Sequence, residues 1–433
     1  MQQDEQVQTQ TNSGYGPRRI PDADLPTEYV EGILDIAHEG SGLLRPKNFA
    51  PSADDIYISS SQIRRFNLRV GDKVGGQARR PKENERYWGL LKLEKINDSD
   101  SEEFLTKKRI SFDDMMVIYP DEQLKLSTAE DVLTTRMVDL VAPVGFGQRA
   151  LVVSPPKAGK TWLVKDMITG IATNYPEMPI ADSLQTDSIA TRAEKQEKSG
   201  SPKAVDSRQV HLMAVLIGER PEEVTDILRH LQKVTDGKGE IGASNFDEAP
   251  ADQTRVGELA LERAKRLVED GKDVVLLLDS ITRMARAYNL ALPTSGRTLT
   301  GGFDPVALYP AKKFFGAARK IENAGSLTII GTCLIETGSR MDDLVYEEFK
   351  GTGNMELHLT RKLAEKRIFP AIDVSKSGTR QDELLFGKEK LTKVNTLRRM
   401  IDMISEDERT ETLLEKLGKT KDNDSFLDSL KTV

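Results

Sequence analysis

The stretch SPPKAGKT, Ser154 to Thr161, constrains this chain of 433 residues more than any other. It follows the apolar run ALVVS and leads into WLVKDMITGIA, which reads as a helix. A loop between a strand and a helix aims successive backbone N–H groups at one point, and the helix N-terminus adds a favourable dipole. Gly159 lets the backbone approach a phosphate, Lys160 sets a cation on its β and γ oxygens, and Thr161 offers a hydroxyl to Mg²⁺. Ser154 stands where the usual P-loop pattern begins with glycine, and Pro155 and Pro156 stiffen the loop. A bare GK[ST] can be a basic helix cap, but the flanking strand and helix favour an ATP site with Mg²⁺ as its ion.

The surrounding pattern agrees. From about Asp131 the strand-like runs ALVVS, HLMAVLI, DVVLLLD and SLTIIGTCLI alternate with helical stretches such as TRVGELALERAKRLVEDG. Continuous apolar strands between helices predict an α/β domain whose parallel sheet is covered on both faces. DVVLLLD ends at Asp279, and a carboxylate at that edge of the sheet suits the Mg²⁺-associated role beside a P-loop. Capping the helix that follows is the plainer alternative. HLMAVLI runs into Gly218-Glu219-Arg220 at the same edge. Glu219 there can orient and polarise an attacking water, or simply pair with Arg220. Cys333, the single cysteine, lies inside SLTIIGTCLI and is expected to be a small core residue. The four histidines lack metal-ligand spacing.

The chain divides into four parts. Residues 1–28 are rich in Gln, Asn, Thr and Pro, which predicts a disordered polar tail without the apolar stretch of a signal peptide. Residues 29–96 carry the runs GILDIA, GLLR, DIYIS, KVGGQAR and YWGLLKLEKI between Gly, Pro, Asn and Asp, so five short strands should form a small β-barrel. Residues 97–130 read as a linker and 131–433 as the ATPase domain. Within the latter, 181–209 has few large apolar residues and reads as an exposed insertion. The formal net charge of −7 argues weakly against nucleic acid, but residues 31–95 hold 12 Lys/Arg against 9 Asp/Glu. No run is long enough to span a membrane, so a cytoplasmic protein is expected.

The motifs PPKAGKT, GERPEEVTD, LLLDSITRMARAYN, LTGGFD, EEFKGTGNMELHL, KRIFPAID and SGTR occur in that order. With DDIYIS, SQIRRFNLR and ENERYW before them, the chain from about Glu31 to its end resembles the Rho family of bacterial transcription terminators. The resemblance implies an OB-type RNA-binding barrel followed by a RecA-like ATPase core. It also implies ATP-driven movement on pyrimidine-rich single-stranded RNA, a hexameric ring of identical subunits and action on RNA polymerase. Nucleotide contacts would come from Gly145, Phe146, Gly147, Gln148, Arg149 and Ala150, and from Lys157, Ala158, Gly159, Lys160, Thr161 and Trp162. Arg220 would be a further ATP contact, and Phe369 would pack on the adenine. Glu219 matches the catalytic glutamate, Asp279 the Walker B aspartate, and Arg380 an arginine finger offered to a neighbour. The primary RNA site would use Gly40, Ser41, Gly42, Leu43, Leu44 and Arg45, then Asp55, Ile56 and Tyr57, then Glu85, Arg86 and Tyr87. Thr298, Leu299, Thr300, Gly301, Gly302 and Arg340 would grip RNA in the central hole.

Several positions depart from the family. Gly218 stands where an Asp is expected, Arg297 and Arg340 replace common lysines, and the polar tail is expected where a small N-terminal helical subdomain would stand, that subdomain being absent or replaced. GSGLLR replaces a GFGFLR-like stretch, so two base-stacking aromatics are lost at Ser41 and Leu43. Tyr57 and Tyr87 remain to stack, or to pack the barrel. Glu85 can accept from a cytosine amino group, and Arg45, Arg64 and Arg65 are candidates for phosphates. Two other classes stay open: a rotary-type ATPase, which needs no ENERYW barrel, and an RNA-binding protein with a decayed ATPase, against which Lys160, Thr161, Glu219, Asp279 and Arg380 speak.

Overall fold

A computed structural model describes residues 26–430 except 38–39, 48, 178–207 and 407. The tail up to residue 25 and most of the insertion lie outside the described residues. The barrel is built from β1 (Thr27–Ile36), β2 (Gly42–Arg45), β3 (Ile56–Ile58), the short helix α1 (Ser60–Arg65), β4 (Lys73–Arg79) and β5 (Trp88–Ile96). The strand order is β3-β2-β1-β4-β5, and β5 returns to pair with β3, closing the ring. Alternation drives closure: Ile56 and Ile58 face in and Tyr57 faces out, while Leu34, Leu44, Val74, Ala78, Leu90, Leu93 and Ile96 fill the interior. Gly76 permits the bend of β4, since a side chain there would overlap the Lys92 carbonyl oxygen.

The boundaries differ from the sequence reading for a clear reason. Thr27 and Glu28 already pair with Arg79 and Ala78, so the barrel begins two residues earlier than expected. The stretch 97–130 is not a free linker. β6 (Ser99–Asp100) extends β5, and α2 (Ser101–Thr106) inserts Phe104 into the barrel core. Beyond it, β7 (Val117–Ile118) pairs with a strand of the ATPase sheet. Phe104 and Phe112 are the apolar anchors that the polar composition of this stretch conceals.

The second domain starts with α3 (Leu133–Val141), then β8 (Arg149–Ser154), α4 (Lys160–Asn174), β9 (Val210–Glu219), α5 (Pro221–Val234), β10 (Glu240–Asn245), α6 (Pro250–Glu269) and β11 (Asp273–Asp279). It continues with α7 (Ile281–Ala291), α8 (Pro305–Gly316), β12 (Arg319–Ile321), β13 (Ser326–Leu334), α9 (Arg340–Lys350), β14 (Met355–His358), α10 (Arg361–Glu365) and β15 (Gly378–Thr379). Three helices, α11 (Glu383–Asp402), α12 (Arg409–Leu417) and α13 (Asn423–Ser429), close the chain. The sheet order is β10-β9-β11-β13-β8-β14-β15, parallel from β10 to β14. Every residue of β9 and β11 is buried, which explains their unbroken apolar runs. Successive residues go to opposite faces. Val152, Leu212, Ala214, Val275 and Leu277 pack one way, and Leu151, Val153, Met213, Val215, Leu276 and Leu278 the other. Cys333 is fully buried, and burial pushes its thiol up to about 12, as suits a core residue.

The barrel is seated on α6. Its Ile33 and Phe49 belong to the ATPase core. Gly71, at φ +88°, approaches so closely that a side chain would overlap the backbone of Glu262 and Arg263. Arg109 joins Asp72 of the barrel at 2.6 Å to Glu269 of α6 at 3.7 Å, all three nearly buried.

Candidate nucleotide and nucleic-acid sites

Parallel strands align their C-terminal ends, so Ser154, Glu219 and Asp279 reach one edge of the sheet. The P-loop turns there through Lys157 at φ +66° and Gly159 at φ +88°. No side chain caps α4, so its first N–H groups are free to receive an anion. Lys160 Nζ lies 2.5 Å from Asp279 Oδ1 and 3.5 Å from Glu219 Oε1. Burial opposes its charge, but Asp279 and Glu219 hold its pKa above the ordinary lysine value. Asp279 also accepts from Thr332 Oγ1 at 2.7 Å. Glu219 is 2 % exposed. Burial pushes its carboxyl up to about 7, Asp279 adds to the rise, and Lys160 and Arg283 oppose it. This answers the surface-pair alternative: Glu219 faces Lys160 and Arg283, while the exposed Arg220 leans towards Glu223 at 3.7 Å.

Two aromatic side chains flank the loop. Phe369, 49 % exposed, sets its ring against Gly159, with ring atoms 3.2 and 3.3 Å from where a Cβ would stand. Trp162 is 74 % exposed on the first turn of α4. Ala158 is buried and Lys157 exposed. Thr161 and Asp279 are oxygen donors and few in number, which fits Mg²⁺, an ion that keeps several ligands from water and phosphate.

The remaining expected nucleotide residues lie elsewhere. Gly145 to Ala150 enter β8 from its opposite end, about 16 Å from the P-loop at about 3.3 Å per residue. There Phe146 is buried edge-on to Tyr175, and Arg208 lies 3.9 Å from its ring. Gln148 donates to Asn354 Oδ1 at 2.8 Å, and Arg149 to the Thr352 carbonyl at 2.9 Å. Gly147, at φ +87°, abuts the backbone of Arg319 and Lys320. All six therefore stand away from the edge of the sheet where the P-loop turns. Arg380 shares their edge: its N–H donates to the Asn354 carbonyl at 2.9 Å, and its side chain is exposed.

The barrel face is equally mixed. Leu43 of β2 stands directly across from Tyr57 of β3, which is 45 % exposed, and Tyr57 is across from Gly89. Arg79 grips Glu85 at 2.5 and 2.8 Å and holds its carboxyl down at about 2, fixing an ionised acceptor. Arg86 lies 5.1 Å over the Tyr87 ring. Gly40, at φ +84°, and Ser41 form the turn into β2. Four expected contacts are corrected. Leu44 and Ile56 fill the barrel core, Asp55 is fully buried, and Arg45 is bound to Asp55 and Asp35 rather than free for phosphate. The sheet alternation that points the half-buried Leu43 and the exposed Tyr57 outward turns Leu44 and Ile56 inward. Arg64 and Arg65 remain exposed.

The two expected loops of the central hole touch. Leu299 and Phe303 close a turn, N–H to carbonyl at 2.7 Å, and Gly301 at φ +81° rests on the backbone of Arg340 and Met341. Thr298, Thr300, Gly302 and Arg340 are exposed. Three residues outside the sequence reading link this loop pair to the acid pair. Arg283 Nε is 3.0 Å from Glu219, and its Nη1 donates to the Gly218 carbonyl at 2.6 Å. One turn along α7, Arg286 grips Asp342 of α9 at 2.7 and 2.8 Å. The signal was the i, i+3 arginine pair directly after Asp279. Gly218 itself sits at φ +62° beside a register shift between β9 and β10.

These features define a RecA-like P-loop ATPase carrying an OB-type barrel. Two domain models match: the Rho termination factor RNA-binding domain over residues 30–102, and the ATP synthase alpha/beta family nucleotide-binding domain over 134–379. The chain is 51 % identical over 403 residues to transcription termination factor Rho of Bacillus subtilis, covering 93 % of this chain and 84 % of that one. The corresponding protein of Escherichia coli K12 is 47 % identical over 409 residues, covering 93 % and 88 %. The chain belongs to the Rho family. Among solved structures, a type III secretion ATPase of pathogenic bacteria is similar with a TM-score of 0.55 at 21 % identity, over 73 % of this chain and 86 % of that one. An ATP synthase subunit of Nanoarcheaum equitans is similar at 0.53 and 16 %, over 72 % and 76 %. Both likenesses concern the fold.

Proposed function

We propose that this chain is an RNA-dependent ATPase that moves along single-stranded RNA and so terminates transcription. The convergence of Lys160, Glu219 and Asp279 beside an uncapped helix carries the ATPase reading. The match of residues 30–102 to an RNA-binding domain carries the RNA reading and speaks against a rotary-type ATPase.

ATP arriving at α4 draws Lys160 away from Asp279 and onto its β and γ phosphates. The base packs on Phe369, which supplies stacking surface without selecting polar edges, and the exposed Trp162 adds apolar surface beside the loop. Mg²⁺ bound with the nucleotide would be held by Thr161 and Asp279 and would spread the charge of the phosphate oxygens. Glu219, unprotonated, accepts a hydrogen bond from the attacking water and aligns it with the γ-phosphorus. Arg380 and Arg149 serve the nucleotide of a neighbouring copy, because neither reaches its own P-loop. A closed ring, six subunits by family likeness, supplies that neighbour to every site.

RNA enters at two places. The barrel presents Tyr57, Tyr87 and the fixed carboxylate of Glu85, which suits pyrimidines through stacking and a cytosine amino group. The Thr298–Gly302 turn and Arg340 contact the backbone, and α7 relays their position to Glu219 through Arg286 and Arg283. RNA polymerase is the complex from which the transcript is released. The test is ATP turnover with and without poly(C): this reading requires stimulation, and a rate indifferent to RNA contradicts it.

A further inference from the structure

Asp35, at the end of β1, is 6 % exposed and binds guanidinium groups from two domains. Arg45 of β2 donates to its Oδ2 from Nε at 3.3 Å and from Nη2 at 2.8 Å. Arg255 of α6 pairs with its Oδ1. Arg45 also binds Asp55, which has no exposed surface. The barrel thus brings two buried carboxylates and one cation to this place, and the ATPase domain completes the balance with Arg255. Leaving a buried charge unpaired is costly, so the positions of β2 and α6 are tied to each other.

The chain of contacts continues on both sides. Two residues before Arg45, on the same face of β2, the half-buried Leu43 stands across from the exposed Tyr57. Beyond Arg255, its Nη1 donates to Glu258 Oε2 at 3.2 Å, and Glu258 Oε1 accepts from Tyr288 Oη at 3.3 Å. Tyr288 is buried on α7, the helix whose Arg283 faces Glu219 and whose Arg286 holds Asp342. Burial and Glu258 push the Tyr288 hydroxyl well above the usual tyrosine range, so it stays a donor at all working pH values.

We propose that Arg255 is a positioning residue that couples occupancy of the barrel's RNA face to the ATPase site, through Asp35 and Arg45 on one side and Glu258 and Tyr288 on the other. The inference rests on the RNA-dependent ATPase reading above. Coupling of this kind is reciprocal: if RNA on the barrel alters nucleotide binding, nucleotide must alter RNA affinity by the same factor. Simple support of the fold by Arg255 predicts no such effect.

The experiment uses full-length Arg255→Ala and, separately, Tyr288→Phe, which removes one hydroxyl from the far end of the chain of contacts. Labelled oligo(dC) binding is followed by anisotropy with and without a non-hydrolysable ATP analogue, and ATP turnover with and without poly(C). Both variants should keep nucleotide-free oligo(dC) affinity and basal turnover within about twofold, while poly(C) stimulation falls about fivefold or more. The analogue should shift oligo(dC) affinity in the wild type and leave it unchanged in both variants. Arg255→Lys, which keeps the charge, should recover much of the coupling. Wild-type stimulation and a wild-type nucleotide effect in both variants overturn the inference. Joint loss of oligo(dC) affinity and basal turnover in both assigns a structural role and overturns it too. Absence of poly(C) stimulation in the wild type refutes the underlying reading, and this inference with it.

Discussion

Arg380 gives the sharpest prediction about assembly. It follows β15, whose Thr379 pairs with Met355, and Met355 pairs with Ala150 at the entrance to β8. The P-loop leaves the other end of β8. Five steps at about 3.3 Å put about 16 Å between the two edges, farther than an arginine side chain extends. Arg380 therefore lies out of reach of its own P-loop, which is why the function proposed above gives it to a neighbour's nucleotide. An arginine finger is worth about 10³–10⁵ in rate, so Arg380→Ala should lower turnover by that order, and Lys160→Ala should abolish it. Mixed subunits test the geometry. A competent site needs an intact Lys160 on one subunit and an intact Arg380 on the next. In randomly mixed rings at equal amounts, about one interface in four meets that condition, so turnover should return to about a quarter of the wild-type rate. The assay is poly(C)-stimulated phosphate release across mixing ratios, after subunit exchange has been verified with two labels. If verified mixed assemblies never exceed the better single variant, Arg380 does not act in trans and the argument fails.

If Glu219 aligns the attacking water as proposed it must be unprotonated, and burial pushes its carboxyl up to about 7, so turnover at saturating ATP should rise as pH climbs through about 7. Glu219→Gln should lower the rate by about 10²–10⁴ and remove that acidic limb from initial rates measured against pH; an unchanged limb assigns it to another group. Replacing Ser41 and Leu43 together by Phe should tighten oligo(dC) binding by about 1–3 kcal/mol per base stacked, read by anisotropy at fixed salt, and an unchanged affinity in a folded variant contradicts the stacking account. Residues 181–206 should be replaceable by a short Gly/Ser linker with RNA-stimulated turnover retained, since long insertions cost little loop entropy. The cut must spare Arg208, which pairs with Asp273 at 2.5 Å and with Glu122; including it should lower the melting temperature.

Local signals carried much of this site. The P-loop, Asp279 and Glu219 were legible because each ends an apolar run, and parallel strands collect such ends at one edge. The barrel was legible through its alternation, although Phe104 and Phe112 were hidden within a polar stretch. What escaped depended on topology or on charge pairing across distance. Gly145 and Lys160 lie close in sequence, and only the direction of β8 shows that they stand at opposite edges of the sheet. Arg45 reads as a phosphate contact until Asp35 and Asp55 are brought against it. Arg283 and Arg286 look like ordinary helix charges until Glu219 and Asp342 arrive from other strands and helices. Arg208 reads as the end of an exposed insertion, yet it anchors the start of β9 against Phe146.

The central claim is that hydrolysis at the Lys160–Glu219–Asp279 edge drives movement along RNA. The most direct measurement is displacement of a labelled DNA strand annealed to RNA that bears a pyrimidine-rich single-stranded extension. The account predicts displacement with ATP and Mg²⁺, none with a non-hydrolysable analogue, and none with Glu219→Gln. Displacement that proceeds with the analogue, or RNA-stimulated hydrolysis that never displaces the strand, would contradict it.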